Sequence, residues 1–284
     1  MTIRLLGILA GLGLTAVLVF WSLIPGVGTL VEEGLPAKPD YYAFQEPNFA
    51  PEGGFTFDGP FGTWDEQQLQ RGYQVYKEVC ASCHSLKYVA FRNLEQLGYN
   101  EDEVRAEAAN WLVPGVNSET GEAENRPGLP TDQFPSPYPN DIAARAANNN
   151  AIPPDLSLIT KARKDGVNYV YSLLLGYTEP TAEDLAKSPD FETPEGLYFN
   201  EHFYNVNIAM APPLTEGIVT YENGPEATQE QMAEDVTAFL TWAGEPSLVH
   251  RKQVGWVVLI FLLFGTTLAF FSYKQVWAGK KPKK

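Results

Sequence analysis

Apolar and polar positions follow three regimes along this chain. Two runs carry no charge, Leu5–Ile24 and Val254–Tyr273, each twenty residues long. Twenty helical residues rise about 30 Å, the thickness of a bilayer's hydrocarbon core, so both runs are predicted to be transmembrane helices. His250, Arg251 and Lys252 precede the second run, and Lys274, Lys280, Lys281, Lys283 and Lys284 follow it. The heavier basic cluster assigns the C-terminal end to the cytoplasm, with Trp256 and Trp277 near the two interfaces. The first run follows Arg4, and its apolar stretch is longer than that of most cleaved signal peptides. A retained helix, serving as export signal and anchor, is the expectation. A processed signal is the alternative, with Gly26-Val27-Gly28 as a weak cleavage site. Either way, the segment between the runs is exported.

Between the two runs the period changes. Leu69, Tyr73 and Tyr76 recur at helical spacing and predict a helix over 64–80. Thr63-Trp64-Asp65-Glu66 reads as its capping box, with Thr63 as N-cap. Gly72 interrupts that helix at a cost of about 1 kcal/mol, which predicts a close helix crossing. The crossing partner is expected in a helix over 228–242, through Phe239 or Trp242. Met232, Val236, Phe239 and Leu240 form that helix's apolar stripe. A helix is expected over 101–112 and a helical turn over 143–147. A longer helix over 156–175 should break near Asp165-Gly166. Residues 25–61 read as an extended approach from the membrane, and 113–140, with six prolines, as loop. Residues 176–227 read as irregular apart from short strands near 196–199 and 218–221. The expected organisation is an N-terminal helix or signal-anchor over 1–28, an exported domain over 29–247, a second membrane helix over 248–275 and a basic tail over 276–284.

Charge narrows the partners. The 284 residues carry a net charge of −15, with 22 prolines and 24 glycines fitting long irregular connections. Residues 32–247 hold 12 basic and 35 acidic side chains, a net −23. Such a field repels nucleic acid and attracts basic proteins, although ordinary acidic solubility accounts for the same numbers. There are no internal repeats, no glycine-rich phosphate loop and no convincing acid–base pair or nucleophile.

Both cysteines lie in Cys80-Ala81-Ser82-Cys83-His84. C-x-x-C-H is the attachment signature of a c-type haem. Two thiols on one turn reach the two porphyrin vinyl groups, and the adjacent histidine is held beneath the iron. A redox dithiol would want a thioredoxin-like βαβ context, and a zinc site would want more ligands nearby. A disulfide across two intervening residues would be strained. The sixth ligand comes from a short inventory: His202, His250, Met210 and Met232, besides Met1. His250 lies at the membrane boundary, and Met232 sits on a helix stripe, where methionine is usually core. Met210 lies in Asn207-Ile208-Ala209-Met210-Ala211-Pro212-Pro213-Leu214, a loop stiffened by two prolines, and is the preferred ligand. His202 reads as a satisfied surface or loop histidine. His/Met ligation favours ferrous iron and suits a one-electron carrier rather than oxygen or peroxide chemistry.

Further motifs follow in order: Ser136-Pro137-Tyr138-Pro139-Asn140, Ala143-Ala144-Arg145-Ala146-Ala147-Asn148-Asn149, Pro153-Pro154-Asp155-Leu156-Ser157, Gly196-Leu197-Tyr198-Phe199-Asn200 and Met210-Ala211-Pro212-Pro213-Leu214. With CASCH, they closely resemble the cytochrome c1 family, the c-type haem subunits of quinol–cytochrome c oxidoreductases, from about Gly59 to the C-terminal helix. The resemblance implies a mainly α, class I c-type cytochrome fold with long irregular loops. It also implies one haem c bound covalently by Cys80 and Cys83, with His84 and Met210 as axial ligands. Arg163, Tyr169 and Asn148 match the family's propionate-side contacts, Arg163 otherwise reading as a solvated helix charge. The implied role is to take electrons from a Rieske iron–sulfur protein and pass them to cytochrome c. This would happen beside cytochrome b in a dimeric complex whose quinol site lies on another chain. The implied location is a bacterial inner membrane, with the haem domain in the periplasm. Another membrane-anchored monohaem cytochrome, donating to an oxidase, is the alternative. A haem enzyme such as a peroxidase would need an open iron position. Some bacterial relatives carry an extra cysteine pair that this chain lacks, leaving its loops to packing and prolines.

Overall fold

The computed structural model describes residues 3–27, 44–187, 191–222 and 224–280. Two units separate at Ala43/Phe44. In the first unit, helix α1 (Ile3–Leu18) continues through a π-helical turn at Val19–Leu23 to Val27. No described side chain in this helix is buried. Of the extended approach predicted over 25–61, residues 28–43 lie outside the described residues.

The second unit begins at Phe44. Helix α2 spans Glu66–Glu78, but its N-cap is Asp65, not Thr63. The Asp65 carboxylate accepts from the amides of Gln67 (3.0 Å) and Gln68 (3.2 Å). A carboxylate at that position satisfies two orphan amides and complements the helix dipole. Thr63 instead donates its amide to the Thr56 carbonyl at 3.0 Å.

Helix α3 (Glu101–Ala109) carries a reciprocal capping box between Asn100 and Glu103 and stops earlier than the expected residue 112. Leu112–Val116 (β1) pairs antiparallel with Ala123–Pro127 (β2), so a hairpin stands where sequence predicts loop. Both strands are edges, which is why Pro114 and Pro127 are tolerated. The connection turns on the Asn117 side chain, which accepts from the amides of Glu119 and Thr120.

Helices α4 (Asp141–Ala147), α5 (Ile159–Ala162) and α6 (Gly166–Leu175) follow. The break between α5 and α6 falls at Asp165, at φ 59°, as its neighbour Gly166 suggests. A Cβ on Gly166 would lie 1.7 Å from the Thr160 carbonyl oxygen, so only glycine permits this reversal. After α7 (Ala182–Lys187), Tyr198–Phe199 (β3) pairs with Asn207–Ile208 (β4). The second strand expected near 218–221 does not form. Turns occupy that segment, and Val219 enters the core by itself.

Helix α8 (Gln229–Gly244), capped by Thr228, is the centre of the domain. Its predicted stripe of Met232, Val236, Phe239 and Leu240 is buried throughout. It crosses α2 at Gly72, where a Cβ would meet the Asp235 carbonyl oxygen at 2.0 Å and the Phe239 Cβ at 2.7 Å. Arg71 donates to both oxygens of buried Asp235 beside this crossing, at 2.9 and 3.0 Å. Tyr73 and Tyr76 pack on Phe239, and Phe134 closes the far side. Helix α9 (Leu248–Trp277) continues with every apolar side chain from Val254 to Trp277 exposed, as a lipid-facing helix requires.

A polar cluster ties α2 to α3. Glu107 accepts from the Tyr73 hydroxyl (2.6 Å), the Trp111 indole (2.9 Å) and the Lys77 ammonium (2.7 Å). Burial alone would raise its pKa, but these three donors outweigh burial and hold it below the ordinary glutamate value. A carboxyl lowered in the folded state stabilises fully above the unfolded value, and that stabilisation disappears as pH falls through the folded value. Glu107→Gln is therefore expected to be less stable than wild type at pH 6 by on the order of 1 kcal/mol. The two proteins should converge below about pH 4. Urea midpoints across that range check this, and a constant gap would contradict it.

Candidate haem-binding site

The C-x-x-C-H segment leaves α2 through Val79 into a 3₁₀ turn at Cys80–Ser82. The amides of Cys83 (3.1 Å) and His84 (2.8 Å) both return to the Cys80 carbonyl, placing the two thiols and the imidazole on one tight turn. Neither cysteine is in a disulfide, and both are half-buried. Burial and the neighbouring Cys83 push the Cys80 thiol up to about 12.

The orientation of His84 is determined from seventy residues away. Its Nδ1 lies 2.8 Å from the Pro154 carbonyl oxygen. Pro153 and Pro154 have no amide hydrogens, and the chain there is extended, so it presents that carbonyl without internal competition. Burial lowers the His84 pKa, with the Pro154 carbonyl and Asp155 partly opposing it, so the ring is neutral at pH 7. Nδ1–H donates to Pro154, and Nε2 keeps its lone pair for a metal. The Tyr76 hydroxyl holds the His84 carbonyl at 3.3 Å.

Asp155 completes the latch. Its carboxylate accepts from the Ser85 hydroxyl (2.7 Å), the Lys87 amide (3.0 Å) and the Ser157 amide (3.1 Å). The Leu156 amide adds a bond to the Ser85 carbonyl at 2.9 Å. Pro154, Asp155 and Tyr76 are site-shaping residues that motif reading by itself missed. The signal for the first two was present, since P-P-D-L-S was visible as a motif, but its partner was not.

Met210 is half-buried just after β4. The Tyr177 hydroxyl donates to its carbonyl at 3.1 Å, and fully buried Leu214 anchors the chain beyond Pro212-Pro213. Upstream, the Asn200 amide reaches the Val206 carbonyl at 2.8 Å, closing a turn in which Val206 holds φ 56°. A β-branched residue there is strained, so packing must maintain the loop. Arg163, exposed, lies against the Tyr169 hydroxyl and partly offsets the upward push of burial on it. Tyr169 also acts electrostatically on Tyr177, whose hydroxyl bonds the Met210 carbonyl. Asn148 stands apart from this chain of contacts. Its amide closes α4 by donating to the Ala144 carbonyl at 2.7 Å, while neighbouring Asn149 reaches Gly196.

His202 departs from the reading of a satisfied surface or loop histidine. It is 5 % exposed, and neither ring nitrogen has a hydrogen-bond partner among the described residues. Glu201 approaches Nε2 only to 3.5 Å. Asn200 causes this, accepting the His202 amide and donating to the Leu173 carbonyl, which folds the turn inward onto Phe49.

Two free thiols and an imidazole with Nδ1 engaged, all on one turn, fit a covalent haem. Among the described residues no group of three or more His, Cys, Asp or Glu stands together as a bare metal site would require.

Sequence comparison agrees with this chemistry. The model of the Cytochrome C1 family matches residues 55–280. The cytochrome c1 of Rhodospirillum rubrum is 42% identical over 269 residues, covering 89% of this chain and 99% of that protein. The mitochondrial cytochrome c1 heme protein of Saccharomyces cerevisiae is 44% identical over 235 residues, 83% of this chain and 74% of its own length. The cytochrome b/c1 of Bradyrhizobium diazoefficiens is 44% identical over 245 residues, covering 79% of this chain but 35% of that longer protein. With a family match running from residue 55 in the head domain to residue 280, past the end of α9, this chain belongs to the cytochrome c1 family.

Proposed function

We propose that this chain, as the haem-bearing electron-transfer subunit of a bc1 complex, takes single electrons from a Rieske iron–sulfur protein and delivers them to a basic cytochrome c. One haem c would be bonded to Cys80 and Cys83, and His84 and Met210 would hold its iron. The observation that carries this reading is the 2.8 Å contact from His84 Nδ1 to the Pro154 carbonyl, which leaves Nε2 as the donor nitrogen beside two free thiols.

When bound, the haem supplies a reversible one-electron couple. The protein residues decide where that couple sits. His84 contributes a neutral imidazole of fixed tautomer, and Met210 a thioether that favours the ferrous form. The Tyr177 hydroxyl and Leu214 hold the Met210 backbone in place. Arg163 and Tyr169 are the groups suited to a propionate. Asn148 gives one amide hydrogen to the Ala144 carbonyl and has the other to offer.

Cytochrome b is the expected membrane partner, supported by the Bradyrhizobium protein whose name joins b and c1. The excess of 35 acidic over 12 basic side chains across 32–247 suits electrostatic steering of a basic acceptor. The proposed topology has the head in the periplasm of a bacterial inner membrane, the basic tail in the cytoplasm and residues 1–28 as a second anchor, within a dimeric complex.

Purification from membranes in mild detergent tests the assignment. Cytochrome b and a Rieske protein should accompany the chain, and its intact mass should include one haem that denaturation does not release. Cytochrome c reduction by that complex should slow at least tenfold as salt rises from about 20 to 300 mM, where the Debye length falls below 10 Å. Recovery without cytochrome b would favour an oxidase-linked cytochrome instead, and a salt-insensitive rate would remove the steering.

A further inference from the structure

A second site lies where the head domain meets the membrane helix. A cleft of about 200 Å³ is lined by Phe57, Thr160, Lys161, Glu245, Leu248 and Lys252, with Asp58 at its edge. It therefore draws on α5, the end of α8 and the first turns of α9.

The two carboxylates at this cleft are already satisfied. Glu245 receives the Lys161 ammonium on one oxygen and the Arg251 guanidinium on the other, the latter at 2.6 Å. Burial would raise the Glu245 pKa, but these cations outweigh it and keep the group ionised. Asp58 accepts the Phe55 amide at 3.1 Å. The spare donors are different groups. Lys252 gives one hydrogen to the Phe57 carbonyl at 2.6 Å and has no carboxylate partner among the described residues. Thr160, 7 % exposed, keeps its hydroxyl buried with no partner. A buried unpaired hydroxyl is costly, so its persistence in the same cleft as a half-compensated ammonium calls for an acceptor.

The depth of the cleft identifies the acceptor. Lys252 precedes Val254, the start of the apolar run, by two residues, or about 3 Å of helix rise. Phe61 stacks on Trp256 at 5.6 Å, an aromatic pair typical of the interface. An anion at that level, next to an exposed apolar helix, is the phosphodiester of a phospholipid. We infer that the cleft between Thr160, Lys161 and Lys252 binds one phospholipid headgroup through its phosphate, its acyl chains lying along α9.

Phosphatidylglycerol titrated into the full-length haem-loaded protein in maltoside detergent, with bound lipid counted by native mass spectrometry, tests this. One lipid should bind ahead of all others. Lys252→Gln should weaken it about tenfold, as loss of a charge-assisted hydrogen bond does, and Thr160→Val about threefold. Thr160→Val removes a hydroxyl with no protein partner, so its urea midpoint should not fall, which separates lost binding from lost folding. Arg105→Gln, the same charge loss on α3, should leave the first lipid unchanged. Equal affinity in the two cleft variants and wild type overturns the proposal. So does diacylglycerol binding as tightly as phosphatidylglycerol, since no phosphate contact would then be needed. Inorganic phosphate occupying the site as tightly as the lipid would reassign it to a soluble anion.

Discussion

Replacing Met210 with Leu is expected to lower the reduction potential by more than about 59 mV, one tenfold step of a one-electron equilibrium. The direction follows from the ligand: a thioether stabilises ferrous iron relative to ferric, and its loss returns the balance towards ferric. Leu conserves volume, and the Tyr177 hydroxyl bonds a backbone carbonyl that the substitution leaves in place. The loop should therefore persist, and the urea midpoint should change little. Redox titration with parallel ferric spectra is the check. An unchanged potential and spectrum would remove Met210 as the ligand. His202 is a poor substitute even then, since its ring is held inward against Phe49 with centroids 5.4 Å apart. Tyr177→Phe provides the complementary case. It leaves the thioether and loosens only the carbonyl anchor, so the potential should shift less than in Met210→Leu.

Gly72→Ala should strongly destabilise the head domain. Helix propensity by itself would reward alanine by about 1 kcal/mol. Against that stands a Cβ placed 2.0 Å from the Asp235 carbonyl oxygen and 2.7 Å from the Phe239 Cβ. Neither can retreat easily, because the first is helix backbone and the second belongs to a fully buried ring. Separating α2 from α8 also strains the Arg71–Asp235 pair, whose acid is fully buried. Overpacking costs about 1–3 kcal/mol, and weakening a buried ion pair adds to it. A net loss of about 3 kcal/mol is expected, measured by chemical denaturation of the haem-loaded protein. Gly255→Ala is the control. Its Cβ would meet nothing within 4 Å, so stability should not fall. Equal stability of the two variants would contradict the close crossing.

The same glycine shows how far local pattern reaches. Gly72 within an amphipathic run announced a helix crossing, and the stripe through Phe239 supplied its partner. Periodicity over one helix is enough for that, because a buried face must recur every three or four residues. The two long apolar helices were legible for a similar reason, since an uncharged run of twenty residues matches the thickness of a bilayer core. Capping was legible less reliably. Thr63 and Asp65 both suit an N-cap, and only the backbone path decides which side chain faces the free amides. The hairpin at 112–127 was hidden because its strands contain Pro114, Gly115 and Pro127, residues that argue against a strand unless both strands are edges.

In the candidate site, residue type and spacing pointed to the chemistry: two thiols and an imidazole in five residues, and a short inventory of possible sixth ligands. They also marked two candidate membrane spans and the acidic character of the segment between them. Tertiary structure decided which His84 nitrogen is free, through Pro154, and which tyrosine holds the Met210 loop, through Tyr177. It turned His202 into a buried group and gathered Thr160, Lys161 and Lys252 around one cleft at the start of α9. The division has one physical cause. Residue type and spacing act along the chain over a few residues. Hydrogen-bond partners and burial depend on segments 33 and 70 positions apart, which meet only when the whole domain has packed.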